Sequence, residues 1–174
     1  MKYTSSLLGL VVLGFGLWAC EQAPNALLSD SQDKVGATVP EQKNEAPTAA
    51  EMKALSTEYL KLNALNEALK PSDIHGSQVK TFLDEKAFDA YHAKRYPYAE
   101  GTLSVKESYD PTGKIVRLYV MKKIKGYDPE NNDWYYAVMS PEGKVSQEGK
   151  GGDVGFCISC HAKVKGKDYL FGFE

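Results

Sequence analysis

The most constraining feature of this sequence is the segment Cys157-Ile-Ser-Cys160-His161, which is followed by only thirteen residues. Two cysteines separated by two residues and followed directly by histidine form the pattern of c-type haem attachment. Each thiol adds across one haem vinyl group, and the fixed distance between the two vinyls explains the spacing. The histidine can then supply the proximal iron ligand. The segment therefore predicts one covalent haem c near the C-terminus, held by Cys157, Cys160 and His161.

Two other uses of the cysteine pair stay open at this point. A redox-active dithiol would normally open a helix beside a parallel sheet, and the sequence shows no regular alternation of strands and helices. A zinc site would need a further ligand at a suitable spacing, and His75 and His92 are the remaining histidines. Haem attachment is favoured over both alternatives.

The motif does not fix the residue on the other side of the iron. Small electron-transfer cytochromes often use a methionine downstream of the motif, and no methionine follows His161. Met121 and Met139 lie upstream in predicted strands, where methionine usually fills gaps in the core, and His75 and His92 are the other candidates. The distal position is therefore predicted to be open or weakly held, which favours ligand binding or catalysis over simple electron transfer.

The N-terminal part of the chain has the composition of an export signal. Lys2 is followed by an apolar run over residues 7–20, which is too short to span a bilayer comfortably. The end of the run resembles a bacterial lipobox, although Trp18 is bulkier than the small residue usual at its position. Lipidation of Cys20 is therefore predicted, and a plain signal peptide cleaved nearby stays open as the alternative.

A change of composition after Cys20 sets the predicted domain limits. Residues 21–48 are rich in Ala, Gln, Asp, Asn, Pro and Thr without apolar periodicity, so they are expected to form a flexible tether. The predicted parts are a lipoprotein signal peptide at 1–19, a lipid-anchored tether at 20–48 and a c-type haem domain at 49–174. This order predicts an exported protein, anchored by lipid to a bacterial membrane and facing the periplasm or the cell exterior.

Apolar spacing predicts two helices in the first half of the haem domain. Over residues 49–70 apolar side chains recur at steps of three and four, Thr48 and Glu51 can form a capping box, and Pro71 would stop the helix. A second helix is predicted over residues 85–94.

Beyond Pro97 the apolar spacing changes from the helical period to alternation, and turn sequences separate the alternating segments. The predicted strands, with one more before the second helix, are 78–83, 101–109, 114–124, 134–139 and 144–147. The fold class is therefore predicted as α+β, with an antiparallel sheet of about four to five strands packed with two or more helices. The four-helix bundle of ordinary cytochromes c′ does not fit this pattern.

Three segments together resemble the cytochrome P-460 family, which also contains the cytochromes c′-beta. They read EGTLSVKESYD, GYDPENNDWYYAVMSPEGK and CISCHAKVKGKDYLF, and the resemblance covers roughly residues 73–173. It implies an antiparallel sheet packed against helices, one c-type haem and a distal face without a protein ligand. One branch of the family oxidises hydroxylamine, in some cases with nitric oxide, and carries a lysine joined covalently to the haem ring. The c′-beta branch lacks this bond and binds nitric oxide.

The resemblance places Lys106 at the position of the cross-linking lysine. Strand alternation puts Lys106 on one face with Thr102, Ser104 and Ser108, and puts Glu107 on the other face. The face that carries Lys106 is polar, so it is expected either to meet solvent or to line a pocket.

Hydroxylamine oxidation also needs a proton acceptor near the distal site. Glu107, Glu130 and Asp133 are the acidic candidates within the three segments. Phe156, directly before the cysteine motif, is predicted to pack against the haem macrocycle.

The predicted function is that of a monohaem c-type cytochrome with an open distal iron site, which oxidises or binds small nitrogen species such as hydroxylamine and nitric oxide. A nitric oxide carrier or sensor without turnover and a simple periplasmic electron-transfer cytochrome are the alternatives, so enzymatic activity stays open. The expected partners are a small nitrogen-containing ligand or substrate and a redox partner protein, and a homodimer stays open. Nucleic acid is not expected, because the net charge is −2 and no basic stripe is present in the sequence.

Overall fold

The computed structural model of the chain describes residues 44–173. The predicted signal peptide, Cys20 and the tether up to residue 43 lie outside the described residues. Within residues 44–173, none of the helices is both long enough and apolar enough to cross a membrane.

The described residues form one antiparallel sheet with three α-helices. In chain order the elements are α1 (Ala49–Glu58), β1 (Asn63–Ala64), β2 (Lys70–Pro71), β3 (Gln78–Leu83), α2 (Glu85–His92), β4 (Leu103–Tyr109), β5 (Ile115–Lys123), β6 (Trp134–Met139), β7 (Val145–Gly149) and α3 (Gly155–His161). Short 3₁₀ segments lie at Tyr59–Lys61, Pro129–Asn131, Gly152–Val154 and Ala162–Lys167. The predicted α+β class is confirmed, as are the five longer strands, whose bounds agree with the prediction to within two residues.

The sheet is a meander in which neighbouring strands are antiparallel. The strand order is β1-β3-β4-β5-β6-β7, and β2 also pairs with β3. Thr81 in β3 is opposite Lys106 in β4, Lys106 is opposite Tyr119 in β5, and Tyr119 is opposite Val138 in β6. Because directly opposed residues share a face of the sheet, these four side chains form one row across the same face.

The first helix begins as predicted. The Thr48 backbone N–H donates to Glu51 Oε2 at 2.6 Å, and the Glu51 backbone N–H donates to Thr48 Oγ1 at 3.3 Å, which completes the capping box. The predicted end at residue 70 is wrong, because α1 ends at Glu58 and a 3₁₀ turn follows.

Sheet pairing explains the early end of α1. The Leu65 backbone N–H donates to the Thr81 carbonyl at 2.7 Å, and the Asn66 side chain donates to the Val79 carbonyl at 3.1 Å and accepts from the Thr81 N–H at 2.9 Å. Asparagine is a poor helix former that favours such backbone bonds. The apolar spacing in residues 62–70 therefore belongs to the edge of the sheet.

The two faces of the sheet pack against different helices. The face toward α1, here called the α1 face, carries the buried side chains of Phe82, Val105, Leu118, Val120, Tyr135, Ala137 and Met139. The opposite face, here called the α3 face, packs against α2, α3 and the C-terminal segment through Leu83, Met121, Trp134, Tyr136, Tyr169 and Leu170. Lys106 and Glu107 are adjacent in β4, so their side chains point to opposite faces.

Candidate functional site

Helix α3 carries both cysteines and the histidine of the motif. Cys157 and Cys160 are free and half-buried, and His161 is buried with 7% of its surface exposed. Steps of three and four residues place these side chains on one side of a helix. That side faces the sheet, because Cys157 packs with the buried cluster of the α3 face.

The His161 ring is oriented by a hydrogen bond to the backbone. Its Nδ1 lies 2.7 Å from the Tyr169 carbonyl oxygen. Since a carbonyl only accepts, Nδ1 carries the proton and Nε2 keeps a lone pair for a metal ion. Burial lowers the pKa of His161 to about 4, against the opposing effect of the Tyr169 hydrogen bond. The imidazole is therefore neutral at neutral pH, which is the form that binds metals.

A buried carboxylate fixes the carbonyl that orients His161. Asp168 and Tyr169 both have positive φ values, 53° and 64°, and the Asp168 carboxylate is anchored to the sheet. It accepts from the Tyr98 backbone N–H at 2.7 Å and from Trp134 Nε1 at 3.2 Å, and it forms a buried ion pair with Lys123. The C-terminal segment is thus held against the α3 face by charged and neutral hydrogen bonds together.

Two cavities meet at His161. The first, here called the Lys106 cavity, has an empty volume of about 450 Å³ and is lined by residues of β3, β4, β5 and β6 together with Cys157 and His161. The second, here called the Cys160 cavity, has about 610 Å³ and is also lined by Cys157 and His161. Both volumes include space that is open to solvent.

Four residues line both cavities, namely His75, Tyr119, Cys157 and His161. The ring centroid of His75 lies 4.6 Å from that of Tyr119 and 6.3 Å from that of His161. Burial, followed by Lys106 and His161, lowers the pKa of His75 to about 3, so this imidazole is also neutral. A pair of neighbouring neutral histidines, with ring planes 71° apart, therefore lines both cavities.

Lys106 lines the Lys106 cavity, in the same row of the sheet as Thr81 and Tyr119. Thr81 and Ser104 line the same cavity, as strand alternation predicts for Ser104. No hydrogen bond or ion pair engages the Lys106 amine within residues 44–173. Desolvation lowers the pKa of Lys106 to about 8, partly offset by Cys160. A fraction of the amine is therefore unprotonated at neutral pH, and only this form has a free lone pair.

The residues of this site fit a haem group. Thr81 Oγ1 and Tyr136 Oη are buried without a hydrogen-bond partner in the described part of the chain, and both residues line the Lys106 cavity. Buried polar atoms are usually hydrogen-bonded, so these two hydroxyls are expected to bind a polar group of a ligand or a water molecule. Ile74 and Phe156 are exposed by 57% and 69%, and both line the Cys160 cavity, where an apolar macrocycle could cover them.

The zinc alternative receives no support from the structure. Within residues 44–173 no group of three or more His, Cys, Asp or Glu side chains is arranged to hold a metal ion. The helix that carries the cysteines also follows an antiparallel strand, which is not the parallel unit expected for a redox-active dithiol.

The structure corrects the placement of the acidic candidates. Glu107 is buried on the α1 face, where its carboxylate accepts from Tyr59 Oη at 2.7 Å and from Tyr109 Oη at 2.6 Å, so it does not reach either cavity. Glu130 is exposed and Asp133 accepts from the Asp128 backbone N–H at 3.2 Å. Neither residue lines the Lys106 cavity or the Cys160 cavity.

The four candidates for the distal ligand are also separated by the fold. Met139 is fully buried on the α1 face, and His92 is exposed and stacks on Phe88 at the end of α2. Met121 lines the Lys106 cavity, and His75 lines both cavities. The structure therefore leaves Met121 and His75 near His161.

Sequence reasoning missed several residues of the site. Thr81, Tyr119 and Tyr136 line the Lys106 cavity because they occupy one face of neighbouring strands. Alternation gives each strand a face, but it does not give the register that joins them. No sequence signal marks the Tyr169 carbonyl, because it is a backbone group.

The fold and the site define a haem-binding cytochrome built on an antiparallel sheet. The family model for Cytochrome P460 matches residues 56–172, and the chain therefore belongs to the cytochrome P460 family. No curated protein matches the chain.

Proposed function

We propose that this chain is a monohaem c-type cytochrome in which Cys157 and Cys160 hold the haem and His161 binds its iron. The observation that carries the proposal is the orientation of His161. Its Nδ1 donates to the Tyr169 carbonyl at 2.7 Å, and its ring lines two cavities that Cys157 also lines. When bound, the haem supplies a redox-active iron that can bind small ligands. Each thiol would add its sulfur and its hydrogen across one vinyl double bond, so attachment needs no oxidant.

The proposed activity is the binding or oxidation of small nitrogen species such as hydroxylamine and nitric oxide. Membership of the cytochrome P460 family supports this chemistry, and so does the polar lining of the Lys106 cavity by Thr81, Ser104 and Lys106. Oxidation of hydroxylamine releases electrons and protons. A redox partner protein has to accept the electrons, and a neutral amine or imidazole lining the cavity can accept the protons.

Lys106 is the residue that we propose to stand beside the haem ring. A covalent bond from its amine nitrogen to a ring carbon would replace one N–H and one C–H bond. This replacement releases two protons and two electrons, so it needs an oxidant such as a peroxide. The partly unprotonated amine supports Lys106 as the nucleophile.

A nitric oxide carrier without turnover is the second candidate. The observation in its favour is that no carboxylate lines the Lys106 cavity among the residues described by the structure. Such a site can bind a neutral diatomic molecule without moving protons, whereas turnover of hydroxylamine requires proton transfer.

Visible spectra of the purified full-length protein separate these candidates. A strongly red-shifted ferrous Soret band that Lys106→Ala returns to an ordinary c-type position supports the cross-linked enzyme. An ordinary spectrum in the wild type contradicts the cross-link and favours the carrier. Turnover of hydroxylamine with an electron acceptor then tests the enzyme directly, and the absence of turnover contradicts it.

We also propose that lipid on Cys20 anchors the protein to a bacterial membrane, facing the periplasm or cell exterior. The lipobox-like end of the apolar N-terminal run supports this location. Incorporation of labelled palmitate that disappears in Cys20→Ser is the expected result, and unlabelled wild-type protein contradicts the proposal. Gel filtration of the detergent-solubilised protein tests whether it forms a homodimer.

A further inference from the structure

We propose that His75 is the distal residue of this site and occupies the sixth position of the iron in the resting protein, from which a small ligand displaces it. This inference rests on the proposed function, because it requires a haem on His161. It departs from the distal face without a protein ligand that the family resemblance implies, and it names the residue that would weakly hold that position.

The spacing of the two histidines is the first observation. The ring centroids of His75 and His161 are 6.3 Å apart. Metal–nitrogen bonds of about 2 Å on both sides of one ion place two imidazole centres roughly 6 Å apart. The separation in the fold is therefore the one that two imidazoles on a single iron require.

The arrangement of the cavities is the second observation. The Lys106 cavity and the Cys160 cavity share His75, Tyr119, Cys157 and His161 in their linings. A flat ring that extends into both cavities therefore contacts both histidines and Cys157.

Hydrogen bonds and a close backbone contact hold the loop that carries His75 against the sheet. The His75 backbone N–H donates to Ser72 Oγ at 3.0 Å, and the Ser77 backbone N–H donates to the Tyr109 carbonyl at 2.9 Å. Gly76 has a φ of +97°, and a Cβ there would lie 2.9 Å from the Tyr109 carbonyl oxygen. The loop therefore packs directly on the end of β4, and Tyr119 supports the His75 ring from the side.

The His75 side chain is available as a ligand. Its ring nitrogens have no hydrogen-bond partner within residues 44–173, whereas Nδ1 of His161 is engaged by the Tyr169 carbonyl. The other nearby candidate, Met121, is a weaker choice because it packs in the buried cluster of the α3 face with Trp134 and Tyr136. A short loop can also move away from the iron more easily than a side chain of a central strand.

A displaceable histidine would lower the apparent affinity of the iron for small ligands. Only molecules in which His75 has left the iron can bind a ligand, so the apparent affinity is reduced in proportion to the fraction of such molecules. The site would then bind ligands that form strong bonds to iron, such as nitric oxide, and exclude weaker ones.

The test is the ferric absorption and electron paramagnetic resonance spectrum of the full-length haem protein. The wild type is expected to be six-coordinate and low-spin. His75→Ala is expected to lose the low-spin signal and become high-spin, and added imidazole is expected to restore the low-spin state. Nitric oxide should bind to His75→Ala roughly tenfold faster or more, because the competent fraction is then complete.

Two matched variants control for other effects. His92→Ala removes an exposed histidine that lines neither cavity, and Met121→Leu removes the other nearby ligand candidate. Both variants are expected to keep the wild-type low-spin spectrum. Loss of that spectrum in Met121→Leu overturns the assignment to His75.

Other outcomes also overturn the inference and can be told apart from a failure of the proposed function. A high-spin wild type, or a low-spin spectrum that survives in His75→Ala, overturns the role of His75 while the haem remains present by its pyridine haemochrome spectrum. A protein without any pyridine haemochrome overturns the proposed function itself, and this inference with it.

Discussion

The two faces of the sheet satisfy their buried polar groups in different ways. On the α1 face, Glu107 accepts hydrogen bonds from Tyr59 and Tyr109. On the α3 face, Thr81 Oγ1 and Tyr136 Oη are buried without partners among the described residues. One sheet thus carries hydrogen-bonded polar groups on one face and unpaired polar groups on the other.

This difference shows how a structural polar group can be told from a functional one. A buried polar group without a partner costs about 1–3 kcal/mol, so a fold that leaves several on one face is expected to receive a partner there. The α1 face needs none, and its acidic residue is structural. The α3 face needs one, and the haem-binding family and the His161 geometry indicate which kind.

The largest expected effect comes from a hydrogen-bonded network on the α3 face. Asp168→Ala removes the carboxylate that pairs with Lys123 and accepts from Tyr98 and Trp134. Breaking a buried ion pair from one side costs about 3–5 kcal/mol, and the Tyr169 carbonyl that orients His161 loses its anchor. We expect urea unfolding to show this loss and the haem absorption bands to shift.

The double variant Lys123→Ala/Asp168→Ala is the control for this prediction. It removes both charges, so its cost should be smaller than the sum of the two single costs. A loss below about 1 kcal/mol in Asp168→Ala would contradict the structural role of the network.

The next prediction compares the loss of stability in variants of two methionines on opposite faces of the sheet. Met139→Ala empties a fully buried position of the α1 face and should cost about 2–5 kcal/mol of unfolding free energy, with no change in the haem spectrum. Met121 borders the Lys106 cavity, so Met121→Ala should shift the position of the haem absorption bands at a smaller cost in stability, while the iron keeps its spin state. Chemical unfolding and visible spectra of the two variants measure both effects. A changed haem spectrum in Met139→Ala would contradict the claim that only the α3 face contacts the haem.

A third prediction concerns the acidic residue that the sequence offered as a proton acceptor. Glu107→Ala leaves two tyrosine hydroxyls without their acceptor and should cost about 3 kcal/mol, because hydrogen bonds to a charged group contribute about 1.5–3 kcal/mol each. Its haem spectrum and ligand binding should match the wild type. Lys106→Ala is the comparison on the other face and should change the spectrum with little effect on stability. Altered ligand binding in a stable Glu107→Ala protein would contradict the assignment of Glu107 as a structural residue.

The smallest expected effect is a change in unfolding free energy that has opposite signs for variants on the two faces of the sheet. Thr81→Val replaces an unpaired buried hydroxyl by a methyl group and should stabilise the haem-free protein by about 1 kcal/mol. Ser56→Ala, beside the α1 face, removes a hydroxyl that donates to the Lys53 carbonyl at 2.8 Å and should destabilise it by about 1 kcal/mol. Thermal unfolding of the haem-free variants measures both, and the same sign for both would contradict the proposed difference.

The strands were predictable because alternation is a local property. Residues 78–83 and 134–139 form strands within the predicted bounds. The second of these is a continuous run of aromatic and other apolar residues, which suits a strand buried on both faces. The end of α1 was not predictable, because the leucine spacing of residues 62–70 suits a helix. Pairing with β3, which is distant in the sequence, decides the conformation there.

The site was predictable only in part. The motif identified Cys157, Cys160 and His161, and alternation separated Lys106 from Glu107. The sequence named His75 only as one of four candidates for the distal ligand, because its position near His161 depends on a loop packing against β4 and on the register of β4 with β5. Local patterns thus give the ligand on the helix, and tertiary packing gives the residue that faces it.

Peptide mass spectrometry of the denatured, trypsin-digested protein tests the central claim most directly. Cleavage after Lys150 and Lys163 releases residues 151–163, which contain both cysteines and His161. We predict that this peptide retains the mass of one haem after denaturation, because two carbon–sulfur bonds hold the group. The same peptide at its unmodified mass, with both thiols open to alkylation, would contradict the claim that the α3 face is a covalent haem site.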